Sequence, residues 1–209
     1  MDNILTHSAT TREYVQNLEA ILSQLQESNL SLRIDKCEFM RESVEQFGFI
    51  VDKNGLRPTG DGVRKIKIYP RPSTVKEVKR FLGMANYYRE FVPKFSEIAE
   101  PIHSEPIHYN LRGGVSFVWT PERETAFAAI KRQIAHSCNL SFPDWNQPFM
   151  IELDCSKVAA CGVLMQKGED GETRVLGYHS STLDAAQKRY CATEMECWAA
   201  ISAMRKFHV

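Results

Sequence analysis

The sequence predicts a modular α+β fold, with α/β as the alternative, on three observations. Two stretches open with capping boxes, Thr10-x-x-Glu13 and Thr74-x-x-Glu77, and each continues with apolar residues at helical spacing. Between them, strand-forming residues 44–51 (VEQFGFIV) are followed by Asp52-Lys53-Asn54-Gly55, which has turn chemistry, and then by extended Leu56-Arg57-Pro58. Near the C-terminus, residues 148–154, 160–166 and 174–179 read as three successive strands ahead of a last helix.

Taken in order, residues 1–5 suggest a short strand. Tyr14, Leu18, Ile21, Leu22 and Leu25 give a helix over about 11–28, and the alternation of Leu30, Leu32 and Ile34 suggests another strand. The 44–58 region reads as one hairpin. A helix to Ile68, capped by Asp61, precedes the breaker Pro70-Arg71-Pro72. The helix after Thr74 buries Val75, Val78, Phe81, Leu82, Ala85 and Tyr88, and Pro93 separates it from a helix over 95–102. Residues 103–114 are loop by composition and 115–119 a short strand. Thr120-Pro121-Glu122 is a helix start, with an N-cap, a first-turn proline and an acid at the positive end of the dipole. KGEDG (167–171) turns the chain between the second and third late strands, and residues 194–207 form the last helix.

The chain has 209 residues, 43% hydrophobic and 25% charged, the composition of a globular protein with one or two cores. Its 26 basic and 26 acidic side chains balance, so a charged partner must be signalled locally. Six cysteines form no C-x-x-C pair and lack histidines at zinc-finger spacing. No signal-peptide pattern and no apolar run long enough for a bilayer is present, so the expected setting is intracellular, cytoplasmic or nuclear, without a membrane partner. The local signal lies in residues 61–94. There Arg64, Lys65, Lys67, Arg71, Lys76, Lys79, Arg80, Arg89 and Lys94 outnumber Asp61, Glu77 and Glu90, leaving a net of six positive charges. Such a patch can hold a phosphate backbone without reading sequence, although a basic helix face alone is most often simply solvated.

Three blocks resemble one family in order. Phe47-Gly48-Phe49-Ile50-Val51 through Gly55-Leu56-Arg57-Pro58 resembles the primer-grip hairpin of gypsy-type reverse transcriptases. Residues 75–95 (VKEVKRFLGMANYYREFVPKF) resemble that family's thumb signature. Phe117-Val118-Trp119-Thr120, Ala126-Phe127, Leu140-x-Phe142-Pro143-Asp144 and Asp154-x-Ser156 resemble the connection and the opening of its RNase H-like domain. Ser180-x-Thr182-Leu183 and Tyr190-x-x-Thr193-Glu194-x-Glu196 continue that match.

The resemblance to a gypsy-type retrotransposon Pol polyprotein implies a remnant of the palm sheet with the primer grip (1–58), a helical thumb (59–112), a connection (113–146) and a partial RNase H-like sheet with one helix (147–209). It implies RNA-directed DNA polymerase and ribonuclease H chemistry with Mg2+, acting on an RNA–DNA hybrid or template–primer duplex, with the rest of Pol as partner. Primer-grip residues would be Phe47, Gly48 and Phe49, and duplex contacts Arg64, Lys65, Lys67, Lys76, Lys79, Arg80 and Arg89. The polymerase motif Tyr-x-Asp-Asp aligns with Met1 at x, Asp2 at the first Asp and Asn3 at the second. Asp2 would be one metal-binding carboxylate, and Asn3 a weaker, neutral oxygen ligand. Asp154 and Glu196 match the first two of four RNase H acids. Two-metal catalysis needs more carboxylates than either remnant offers, so the expectation is an incomplete enzyme. The alternative is a non-catalytic, sequence-independent nucleic-acid-binding protein derived from such an element.

Overall fold

The computed structural model describes residues 4–103, 107–109 and 115–208. They form two compact units, Met1–Arg41 and Glu42–Val209, and mix helices with antiparallel sheets. Asp2 and Asn3 lie outside the described residues, as do residues 104–106 and 110–114 of the expected loop.

The first unit is built on α1 (Thr11–Glu27). Thr10 caps it by accepting from the Glu13 amide at 3.2 Å, and Glu13 returns a bond to the Ala9 amide. Its C-terminus closes through Asn29 at φ 55°, with Asn29 N bonded to Gln26 O and Leu30 N to Leu25 O, the paired bonds that absorb orphan carbonyls. Residues 30–34 are not a strand, and neither are Ile4 and Leu5. Strand alternation needs a neighbour to pair with. Instead Arg33 grips Asp35 at 2.7 and 3.3 Å, and a 3₁₀ turn, Ile34–Lys36, forms with Ile34 80% exposed. No residue of α1 is buried, and Leu22, Leu25, Leu30, Leu32 and Phe39 line a shallow apolar groove.

The second unit begins with a three-stranded meander rather than one hairpin: β1 (Ser43–Gln46), β2 (Phe49–Asp52) and β3 (Gly55–Pro58). The VEQFGFIV run is broken because Gln46 pairs with Phe49 across a two-residue turn. Phe47 (φ 52°) and Gly48 (φ 76°) both take left-handed backbone, as tight turns matched to strand twist require. Gly55 is needed for a second reason. Its φ is 121°, and a Cβ there would stand 2.0 Å from the Leu140 carbonyl oxygen, where Leu56 and Leu140 exchange bonds of 2.8 and 2.9 Å.

Helix α2 (Gly60–Lys67) is capped by Thr59, not Asp61. Thr59 holds extended backbone and accepts from Gly62 N at 3.2 Å, while Asp61 sits in the first turn beside Arg64 and Lys65. Helix α3 (Val75–Asn86) is capped by Thr74, with the Glu77 carboxylate bonded to the Ser73 amide at 2.7 Å. Helix α4 (Phe95–His103) follows a 3₁₀ turn at Arg89–Phe91. A short antiparallel pair, β4 (Ile107–Tyr109) and β5 (Val115–Phe117), puts a strand inside the span expected to be loop. Helix α5 (Pro121–Ala135) starts at its Thr120 cap as anticipated.

These helices share one core, including Phe81, Phe95, Ile102, Ile130 and Ile134, all under 3% exposed. Burial of that apolar surface is the main force holding them together. The antiparallel sheet β6 (Phe149–Cys155), β7 (Ala159–Lys167), β8 (Thr173–Thr182) follows, with α6 (Ala192–Phe207) packed on it around Ala160, Leu183 and Ala199. β6 is an edge strand whose Phe149, Ile151 and Leu153 are exposed.

Candidate nucleic-acid interface and carboxylate pair

The meander, α2 and α3 converge on one surface. The β1–β2 turn projects Phe47, 68% exposed, and the Tyr87 hydroxyl donates to the Phe47 carbonyl oxygen. Phe49 points the other way. Its ring stacks on Tyr87 at 5.0 Å and Phe91 at 5.4 Å and meets Tyr88 edge-on at 5.7 Å. Of the three primer-grip candidates, Phe47 is free to touch a ligand, Gly48 makes the turn possible, and Phe49 anchors it. Beside the turn lies a shallow cleft of about 290 Å³, walled by Gly48, Thr59, Asp61, Lys65, Met84 and Tyr87. Burial pushes the Tyr88 phenol up, so it stays neutral there.

The nine basic residues divide sharply. Asp61 takes Lys65 at 2.6 Å and Arg64 at 3.0 Å, and those two bonds hold its carboxyl below the ordinary range. Arg71 reaches Glu124 at 3.4 Å and lies 6.0 Å from the centre of the Trp119 ring. Arg89 is half-buried. It donates to Asn86 Oδ1 at 3.0 Å, Ser96 Oγ at 3.2 Å and the Ser180 carbonyl, and rests on the Phe95 ring. Its guanidinium therefore fastens the helical layer to β8 rather than facing outward. Lys94 is on Asp154. Lys67, Lys76, Lys79 and Arg80 are exposed, and among the described residues they make no ion pair. These four can meet phosphate without first giving up a partner.

The second constellation is acidic. Asp154 lies at the end of β6, opposite Cys161 in the register, and Glu196 lies on the second turn of α6. Both carboxylates are exposed, and both push the Cys155 thiol up, after burial, which has the larger effect. Burial raises the Cys161 thiol to about 11, with Glu97 and Asp154 adding to it. Glu194, the neighbour most easily confused with Glu196, bonds the Cys191 amide at 2.8 Å and caps α6. Among the described residues Glu196 makes no such bond.

Magnesium favours several hard oxygen ligands, and two carboxylates are the right chemistry in too small a number. Moreover the Lys94 ammonium stands 2.5 Å from Asp154 Oδ2. Among the described residues no group of three or more His, Cys, Asp or Glu could hold a metal ion. The residues as arranged do not fit the two-metal centre. Sequence reasoning counted Lys94 only in the basic patch, and nothing local signals its meeting with a residue 60 positions away. The Tyr87 hydroxyl bond to Phe47 was likewise invisible, because the aromatic spacing announces packing alone.

Comparison with known proteins supports the family-level resemblance. Residues 119–209 match the family model of the RNase H-like domain found in reverse transcriptase. The chain is 32% identical over 205 residues to the transposon Tf2-7 polyprotein of Schizosaccharomyces pombe, covering 98% of this chain and 15% of that polyprotein. The Tf2-3 polyprotein of the same organism is 31% identical over the same length. The chain thus spans about 15% of the length of these relatives. Its fold superposes on a foamy viral protease-reverse transcriptase in complex with double-stranded DNA, with TM-score 0.76 and 26% identity, over 96% of this chain and 34% of that one. A foamy viral protease-reverse transcriptase in complex with RNA/DNA hybrid gives TM-score 0.76 and 25% identity, over 96% of this chain and 26% of that one.

Proposed function

We propose that this chain is the palm-end, thumb, connection and RNase H-opening stretch of a retrotransposon reverse transcriptase, and that it grips the backbone of an RNA–DNA hybrid or template–primer duplex. The observation carrying this reading is the set of four exposed bases, Lys67, Lys76, Lys79 and Arg80, which make no ion pair among the described residues and lie on the two helices beside the projecting Phe47 turn. Backbone neutralisation by such side chains is sequence-independent and falls with salt through counterion release. The foamy viral protease-reverse transcriptases of similar fold are in complex with double-stranded DNA and with RNA/DNA hybrid, which supports this ligand class.

The proposed boundaries are palm end 1–58, thumb 59–112, connection 113–146 and RNase H opening 147–209. Asp154 and Glu196 are the proposed ribonuclease carboxylates, and Asp2 the proposed polymerase one. The chain by itself carries out no hydrolytic or polymerising step, and it binds Mg2+ weakly or not at all. The rest of a Pol polyprotein is the proposed partner for the apolar groove of the first unit and for the exposed edge of β6. The second reading, a binding protein without catalysis, is favoured by the same contrast of free bases and an occupied carboxylate.

The test is binding of the purified chain to a fluorescent RNA–DNA hybrid at low and physiological salt, with Lys76→Glu, Lys79→Glu and Arg80→Glu combined. Tight binding that weakens steeply with salt and is lost in the variant supports the grip. Affinity indifferent to salt or to the substitutions removes it. Primer extension above background by the purified chain would overturn the incomplete-enzyme reading.

A further inference from the structure

We propose that the cleft beside the Phe47 turn is a subsite for a single unpaired nucleobase, and that the Tyr88 hydroxyl is the group that bonds the edge of that base. This assignment rests on the backbone grip proposed for α2 and α3, and it gives the cleft next to that grip an occupant of its own.

Tyr88 is only 7% exposed, yet it lines the cleft. Its hydroxyl makes no hydrogen bond among the described residues. Nor is that hydroxyl sealed in. The one fully buried, unpartnered side-chain nitrogen or oxygen among the described residues is Trp198 Nε1. What remains of the phenol's polar surface therefore opens on the cleft. Buried polar groups are almost always hydrogen-bonded, so a phenol whose donor and acceptor are both unused at the wall of a cleft is placed to bond a ligand. The position of the hydroxyl depends on a neighbour without a side chain. A Cβ at Gly62 would stand 2.2 Å from Tyr88 Oη, so the phenol can lie there because residue 62 is glycine. A Cβ at Gly48 would lie 3.9 Å from both Tyr88 Oη and Tyr87 Cε1, and its absence leaves that side of the cleft open.

The other walls select the chemistry of the occupant. Half-exposed Tyr87 and Met84 offer an apolar, partly aromatic surface. Asp61 and Glu45 set two carboxylates against the single ammonium of Lys65, which Asp61 already holds at 2.6 Å. Such a lining repels a phosphate, so the group that enters is neutral. Burial, and then the neighbouring Tyr87, push the Tyr88 phenol up, so its proton stays in place to be donated. A volume of about 290 Å³ lies at the low end of small-molecule sites and suits one ring system. A nucleobase is neutral and flat, with donors and acceptors along its edge. The helices that wall the cleft, α2 and α3, also carry the four exposed bases available to its phosphates. Taking a base out of a duplex costs more than one neutral hydrogen bond returns, so the base that enters is one already unpaired, at an overhang or in a single-stranded stretch.

The test compares two RNA–DNA hybrids, one ending in a single unpaired 2-aminopurine nucleotide and one with that nucleotide paired. Affinity for the purified chain is read by anisotropy, and the surroundings of the base by 2-aminopurine fluorescence. Wild type is expected to bind the overhang hybrid about tenfold tighter than the paired one. Tyr88→Phe should cut that ratio about two- to tenfold, the scale of one neutral hydrogen bond, and should melt with wild type because no internal bond is lost. Equal affinity of wild type for the two hybrids overturns the subsite. A ratio unchanged in Tyr88→Phe also overturns it, because the base then sits elsewhere, as on the exposed ring of Phe47. The 2-aminopurine riboside is titrated alone as well. A signal from the riboside that Tyr88→Phe weakens supports the cleft as a site for a free nucleobase. Failure of wild type to bind either hybrid overturns the backbone grip, and the riboside then decides the cleft by itself. Without a Tyr88-dependent signal up to millimolar riboside, the cleft assignment falls too.

Discussion

The basic face of α2 and α3 and the acidic corner of β6 and α6 began as equivalent expectations, each a set of charges placed by sequence. They differ in what surrounds the charges. On the basic face Lys76, Lys79 and Arg80 lie on the outer side of a helix whose one acid, Glu77, turns back to Ser73. The acidic corner faces a lysine delivered from another layer. Like-charged neighbours remain available to an external ligand, whereas an isolated charge near an opposite one is answered internally. The same rule operates within the patch, where the single acid Asp61 removes both Arg64 and Lys65 from the free set.

The largest expected effect breaks the comparison directly. Combining Lys76→Glu, Lys79→Glu and Arg80→Glu should weaken hybrid binding at low salt on the order of 100-fold and flatten the log–log salt slope by about three. Asp154→Asn, measured by the same fluorescence titration, should leave hybrid affinity within about twofold, since the pair it breaks is exposed. A comparable loss in both would erase the distinction between the faces.

Next in size is Gly55→Ala. A Cβ at φ 121° collides with the Leu140 carbonyl and opens the Leu56–Leu140 bridge that ties the meander to the segment after α5. Chemical denaturation should show a loss of about 2–3 kcal/mol. Thr74→Ala, which strips the α3 cap under the basic face, should cost about 1 kcal/mol by the same assay. The smallest effect is acid dependence. The Ser73 amide and then its hydroxyl hold the Glu77 carboxyl below its ordinary value of 4.5. A depressed carboxylate stabilises the fold above its unfolded value and loses that contribution as pH falls through the folded one. The stability difference between wild type and Glu77→Gln should therefore shrink as the melt is taken from pH 6 to below about 4.

How far these regions were legible depends on the range of the interactions. The starts of α1, α3 and α5 were readable because Thr10, Thr74 and Thr120 cap amides three residues away, well inside a sequence window. The strand expected at residues 30–34 failed because alternation says nothing of whether a partner strand exists. The turn at Phe47 was hidden because phenylalanine is not a turn residue. Gly48 and the Tyr87 hydroxyl, 40 residues along the chain, stabilise it there. Asp154 and Glu196 were reached by resemblance, and their neighbourhood became readable only once the fold brought Lys94 beside one of them.

The burial of Cys161 has a practical consequence for handling the chain. Its thiol, pushed up to about 11 in the central strand β7, is almost wholly uncharged at neutral pH and shielded from solvent, whereas Cys138, Cys191 and Cys197 are exposed. Alkylating reagents attack thiolates, so the four sites differ in reactivity for physical reasons. Once the exposed thiols are blocked, slow labelling of Cys161 reports the opening of β7. The molecule carries its own clock for breathing of the β6–β8 sheet, read by mass spectrometry without an added dye.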